Sequence, residues 1–175
     1  MRLKIGTAEM KYFTRKALNG SLFEKTCSAY HKQLAQLEGR VSRQAWNFFA
    51  FGFRQWGLHD ARLLGFSAGD GLDHFVNGRN HFDVNKQKAK VRILILNCEQ
   101  TLLYSFDCTD IRTVVFKYPV QNTRWNPRQI ELLETYELTA VNKHYLSLEF
   151  LFSSNATLLV EFGRLKFKRQ RVSQE

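Results

Sequence analysis

Proline is almost missing from this chain, at two residues in 175, and glycine numbers only ten. Neither is frequent enough for a collagen-like or linker-dominated architecture. Cysteine is scarce as well: Cys27, Cys98 and Cys108 are odd in number, and none stands in a Cys-x-x-Cys pair. That argues against a disulfide framework and for a reducing, cytoplasmic setting. The apolar neighbours of each thiol predict three buried side chains acting as small hydrophobes. No apolar run reaches the roughly 18 residues that cross a bilayer, so no membrane partner is expected. Met1 to Gly6 carry no apolar signal core. A Gly-x-Ser-x-Gly elbow is absent, and Gly69-x-Gly71 lacks the later glycine and lysine of a phosphate loop. No residue set therefore specifies a reaction, and no cofactor is implied.

Acidic charge is the other shortage. Against 26 Lys and Arg stand 16 Asp and Glu, leaving a net charge of +10. The imbalance is uneven: residues 1–92 hold 16 basic and 7 acidic side chains, residues 93–163 hold 5 and 8, and residues 164–175 hold 5 and 1. Such asymmetry points to an anionic partner or to a solvated basic face. Hydrophobic residues at 44% are too many for a disordered chain.

Apolar residues at Phe23, Cys27, Tyr30, Leu34 and Leu37 recur at helical steps and predict a helix from about 21 to 38. Ser21 and Glu24 have the spacing of a capping box, and Gly39 supplies a C-terminal stop. Trp46, Phe49, Phe53 and Trp56 predict a second helix from 42 to about 55, with Phe48 and Phe51 widening its apolar face. Beyond Leu58 the period changes to two. Strands are expected around 91–96, 102–106, 111–116, 131–140, 145–152 and 157–167, with Asp107 to Asp110 as a turn. Short connections require antiparallel neighbours. The expected class is α+β, with two N-terminal helices packed on a six- to seven-stranded antiparallel sheet. One domain spans 1–175: a helical part at 10–57, a sheet at 58–169 and a basic tail end at 170–175.

Three groups offer chemistry. Leu58-His59-Asp60-Ala61 sits where helix gives way to strand; on a strand, His59 and Asp60 would point to opposite faces, and the plainer role is to tie down backbone. His74, His81, Asp73 and Asp83 lie close in sequence, but their spacing fits no zinc or calcium pattern. Glu131, Glu134, Glu137 and Glu149, near His144, read as solvent-face or edge acids. For nucleic acid the relevant pattern is basic residues among aromatics, Arg124-Trp125 and Arg164-x-Lys166-Phe167-Lys168-Arg169. On a strand, Arg164, Lys166 and Lys168 share one face, where they would track a phosphate backbone or protect a sheet edge.

Met10-Lys11-Tyr12-Phe13-Thr14, Leu58-His59-Asp60-Ala61, Tyr136-Glu137 and the phenylalanine-rich last strand together resemble a family of small bacterial proteins. That family opens on Met-Lys-Tyr-Phe-Thr and carries Leu-His-Asp-Ala after its helical part. The resemblance implies the helix-plus-sheet fold, a bacterial source and Met10 as the natural start, with 1–9 as an extension; it implies no activity. In layout the chain is also similar to bacterial immunity proteins, an analogy of fold alone. The leading expectation is thus a non-enzymatic module that binds another protein, immunity- or antitoxin-like, with Arg124 and Trp125 as anchors. The second is a nucleic-acid binder using its basic tail and N-terminal helices. A third is a metal-dependent hydrolase built on His59, Asp60, His74, His81 and Asp83.

Overall fold

Helical periodicity ends, and period-two alternation begins, near residue 58, and the chain divides its architecture there. The structure is a computed structural model that describes residues 10–18, 22–51, 57–69, 89–118 and 132–173. A single turn, α1 (Arg15–Leu18), is followed by α2 (Phe23–Ala35) and α3 (Arg43–Phe51). Tyr30 and Leu34 form the buried face of α2, and Leu37 extends it. The helix ends at Ala35, short of the expected 38, with the Gln36 N–H bonding back to the Gln33 carbonyl. Gly39 lies in the turn beyond it with φ at +81°, a left-handed conformation that costs glycine nothing. The expected capping residue Ser21 lies outside the described residues. Ser42 caps α3, its hydroxyl accepting the Ala45 N–H at 3.2 Å. The Trp46 indole then donates to the Leu34 carbonyl at 3.0 Å and fixes α3 against α2. The apolar face of α3 is narrower than its composition predicts: Phe49 is fully buried, whereas Phe51 is 48% exposed.

Six strands follow: β1 (Arg62–Gly69), β2 (Lys90–Leu96), β3 (Leu102–Lys117), β4 (Leu133–Ala140), β5 (Leu146–Phe152) and β6 (Thr157–Arg171). They form one antiparallel sheet in the order β1-β2-β3-β6-β5-β4. The expected turn at Asp107 to Asp110 does not exist. Tyr104, Phe106 and Cys108 carry the inward alternation straight through it, and β3 runs unbroken for 16 residues. Asp110 takes φ of +55°, and a register shift follows between Ile111 and Thr113. Such a bulge bends and twists a strand without ending it.

The sheet is staggered about the long β3–β6 ribbon. β2 pairs with β3 only over 103–109, and β5 pairs with β6 only over 157–162. Between these halves the buried set on β6 changes parity, from Leu158, Val160 and Phe162 to Phe167. Gly163 stands at the crossing; a Cβ there would lie 3.0 Å from that of Asp110. Arg164, Lys166 and Lys168 therefore share parity with core residues at one end of β6 yet are themselves exposed. One cluster of buried residues joins the helices to both halves.

β4 is the outer strand beside α2, and its open edge is sealed. The Leu138 N–H donates to the Tyr30 hydroxyl at 2.9 Å, and the Gln33 amide donates to the Leu138 carbonyl and accepts from the Ala140 N–H, each at 3.2 Å. A covered edge offers no template for further strand pairing. The acids of this half are not on a solvent face as expected. Glu137 is fully buried and Glu149 is 9% exposed. Glu137 accepts N–H bonds from Lys11, Tyr12 and Phe13 at 2.6, 2.9 and 3.2 Å, which anchors the segment ahead of α1. Among the described residues no helix is long and apolar enough to cross a membrane.

Candidate functional site

Directly paired residues on neighbouring strands point to the same side of a sheet, so the register shows which charges meet. Lys90 pairs with Thr109, which pairs with Arg164; Arg92 pairs with Asp107, which pairs with Lys166; Leu94 pairs with Ser105, which pairs with Lys168. Arg62 joins the same side through Leu96. The opposite side of these strands carries Val91, Ile93, Ile95, Phe106 and Cys108, all buried in the core. The outward side thus gathers six exposed cations, Arg62, Lys90, Arg92, Arg164, Lys166 and Lys168, from three strands far apart in sequence.

Among the described residues, Asp107 is the one carboxylate within these rows. It accepts from Arg92 Nε at 2.6 Å and is itself largely covered. At the border Arg164 Nε reaches Asp110 at 3.2 Å, but the Arg164 side chain is 79% exposed, where an ion pair adds little stability and exchanges readily. An open groove of about 450 Å³ runs along this side, lined by Ser67, Lys90, Arg92, Asp107, Arg164 and Lys166. Alternate residues on a strand stand about 6.8 Å apart, and adjacent strands about 4.8 Å. Five of the cations therefore form two rows, on β2 and β6, with Ser105, Asp107 and Thr109 of β3 between them, and Arg62 stands on β1.

The alternation of Arg164, Lys166 and Lys168 predicted from sequence matches this geometry, but their role as edge protection holds only in part. β6 is bonded to β3 throughout 157–171 and to β5 over 157–162. Only its far half has an open side among the described residues. Sequence reasoning missed Lys90 and Arg92 as members of the same face. Their alternation with Val91, Ile93 and Ile95 was visible, but their meeting with Arg164 and Lys166 depends on long-range register.

His59 and Asp60 do converge, against expectation. They occupy a turn rather than a strand, Asp60 has φ of +59°, and His59 Nδ1 lies 3.0 Å from Asp60 Oδ2. Both side chains are about half exposed. The motif also ties backbone: the Asp60 N–H donates to the Leu133 carbonyl at 2.9 Å, and the Leu133 N–H to Ala61 at 2.8 Å. Among the described residues no three His, Cys, Asp or Glu side chains group to hold a metal. His74, His81, Asp73, Asp83, Arg124, Trp125 and Glu131 lie outside the described residues.

Of the thiols, Cys108 is buried, which pushes its pKa up, and Cys27 is half-buried. Cys98 is exposed, contrary to expectation. It sits in the β2–β3 turn, where Asn97 takes the inward position and accepts from the Thr101 and Leu102 N–H groups, both at 2.8 Å. Compared with models of protein families, with curated proteins and with solved structures, the chain matches none. The function has to be read from the protein's own surface.

Proposed function

We propose that the protein binds nucleic acid on the outward side of β1, β2, β3 and β6, with the cation rows on the phosphates of an extended strand. The observation that carries this reading is the convergence of six exposed cations on one sheet side, against a single carboxylate in its rows. Phosphate contacts supply most of the affinity in sequence-independent binding, through release of condensed counterions. Three properties of this side suit that role: it is open, it is built on paired strands, and its charges repeat at a regular spacing. The N-terminal helices, expected to share in binding, pack on the side of the sheet opposite the cation rows, through Phe48 and Phe49.

Recognition of another protein had Arg124 and Trp125 as its anchors, and both fall outside the described residues. An acidic protein surface would compete for the same cations and is the alternative outcome of the test. In fluorescence anisotropy with a labelled single strand of about 20 nucleotides at 50 mM salt, the wild type is expected to bind. The triple variant Arg164→Gln, Lys166→Gln, Lys168→Gln is expected to bind at least about tenfold more weakly. Equal affinity of the two proteins, or no binding by the wild type, contradicts the reading.

A further inference from the structure

Helix α3 has a second side that the core covers only in part, through Phe48. Gln44, Asn47, Phe48 and Phe51 fall at helical steps on it, facing Tyr104 from β3 and Phe167 and Arg169 from β6 across a pocket of about 320 Å³. Its floor is aromatic: the Phe48 ring lies 4.7 Å from that of Phe167 and 5.3 Å from that of Tyr104. Its rim is Phe51, half exposed and held edge-on by Trp46 at 6.0 Å. Polar groups are few and specific. Gln44 and Asn47 expose two amides, and Arg169 pairs with Tyr104 across β6 and β3, its charge beside the Tyr104 hydroxyl. Burial raises the Tyr104 pKa, and Arg169 offsets part of that rise.

We infer that this pocket holds a purine or pyrimidine ring that carries phosphate, as a base of a bound single strand or as a free nucleotide. Each component matches. Rings stack on Phe51 and Phe48, as bases stack on aromatic side chains in single-strand binding. An amide offers both a donor and an acceptor to the mixed edge of a base, and a guanidinium pairs with phosphate in a fork. A purely apolar ligand would leave the two amides and Arg169 unanswered. Pockets of this size with few convergent polar groups are typical small-ligand sites.

The pocket adjoins the cation rows. Phe167 and Arg169 alternate on β6 with Lys166 and Lys168, so the two sites occupy opposite sides of one strand. Over 164–171, β6 is bonded on one side only among the described residues. A strand crossing that open edge can set phosphates on Lys166 and Lys168 and turn a base into the pocket. For the path of the strand the inference rests on the proposed function; for the pocket itself it does not.

The test compares three probes on the wild-type protein: a thymidine single strand, an abasic strand with the same phosphates, and a nucleoside monophosphate. The base-bearing strand is expected to bind about tenfold more tightly than the abasic one. Phe51→Ala is expected to bring it down to the affinity of the abasic strand, and Asn47→Ala to remove part of the gain. Thermal denaturation checks that both variants fold. Equal binding of the two strands by the wild type, with no binding of the monophosphate, overturns the pocket and leaves the cation rows standing. If neither strand binds, the cation reading fails and the monophosphate decides. Saturable binding lost in Phe51→Ala keeps the site as one for a free nucleotide, and no binding overturns it.

Discussion

Glu137 and Glu149 face each other directly across β4 and β5, both buried. Their surroundings differ. Glu137 spends its carboxylate on three backbone N–H groups, which hold its pKa down against the larger upward push of burial. Glu149 has the Ser147 hydroxyl at 3.3 Å. Burial raises its pKa to about 7, the charges of Glu137 and Glu161 adding to the rise and Ser147 opposing it. From about pH 4.5 to 7 the folded protein keeps a proton that the unfolded chain releases. Stability from this group is therefore full below the unfolded pKa and is lost as pH climbs through the folded one, by on the order of 3 kcal/mol. Glu149→Gln keeps the shape and the bond to Ser147 but cannot ionise. Its unfolding free energy relative to wild type, from urea titration, is expected to rise by about 3 kcal/mol between pH 4.5 and pH 7.5. A difference that stays constant with pH contradicts the assignment. None of this was legible in the sequence, where glutamates on alternating strand positions read as solvent-facing. Only the three-dimensional cover from residues 10–13 makes a buried acid tolerable.

The elements were more legible than the acids. Apolar steps of three and four located α2 and α3, and alternation located β2, β5 and β6. The failure at β3 is instructive: Asp107-Cys108-Thr109-Asp110 has the composition of a turn, yet the two-residue period of Tyr104, Phe106 and Cys108 passes through it. Periodicity outweighed composition because the paired register with β6 fixes which side chains are buried. The contact between α2 and β4 shows what no pattern could reveal. Tyr30 looks like a core ring, but its hydroxyl accepts the Leu138 N–H at a strand edge. Tyr30→Phe keeps the packing and leaves that buried donor without its acceptor, at an expected cost of about 1–2 kcal/mol. Hydrogen exchange should then accelerate at the Leu138 amide more than at amides in the β3–β6 ribbon. Uniform acceleration would mean that the hydroxyl stabilises the whole fold rather than sealing this edge.

At the scale of the molecule, one side of a half-sheet carries cations and the other carries the core. Half of that face was legible, since Arg164, Lys166 and Lys168 alternate on a strand. The other half was not, because Arg62, Lys90 and Arg92 join them only through successive pairings, β1 with β2, β2 with β3 and β3 with β6. The same limit hid the aromatic pocket, whose walls come from α3, β3 and β6. The most direct measurement is the dependence of single-strand affinity on salt between 50 and 200 mM, for wild type and for the triple glutamine variant at 164, 166 and 168. Six phosphate contacts predict a log–log slope of about −4, and losing three brings it to about −2. A slope near zero for the wild type, or the same slope for both proteins, would contradict phosphate binding on this face.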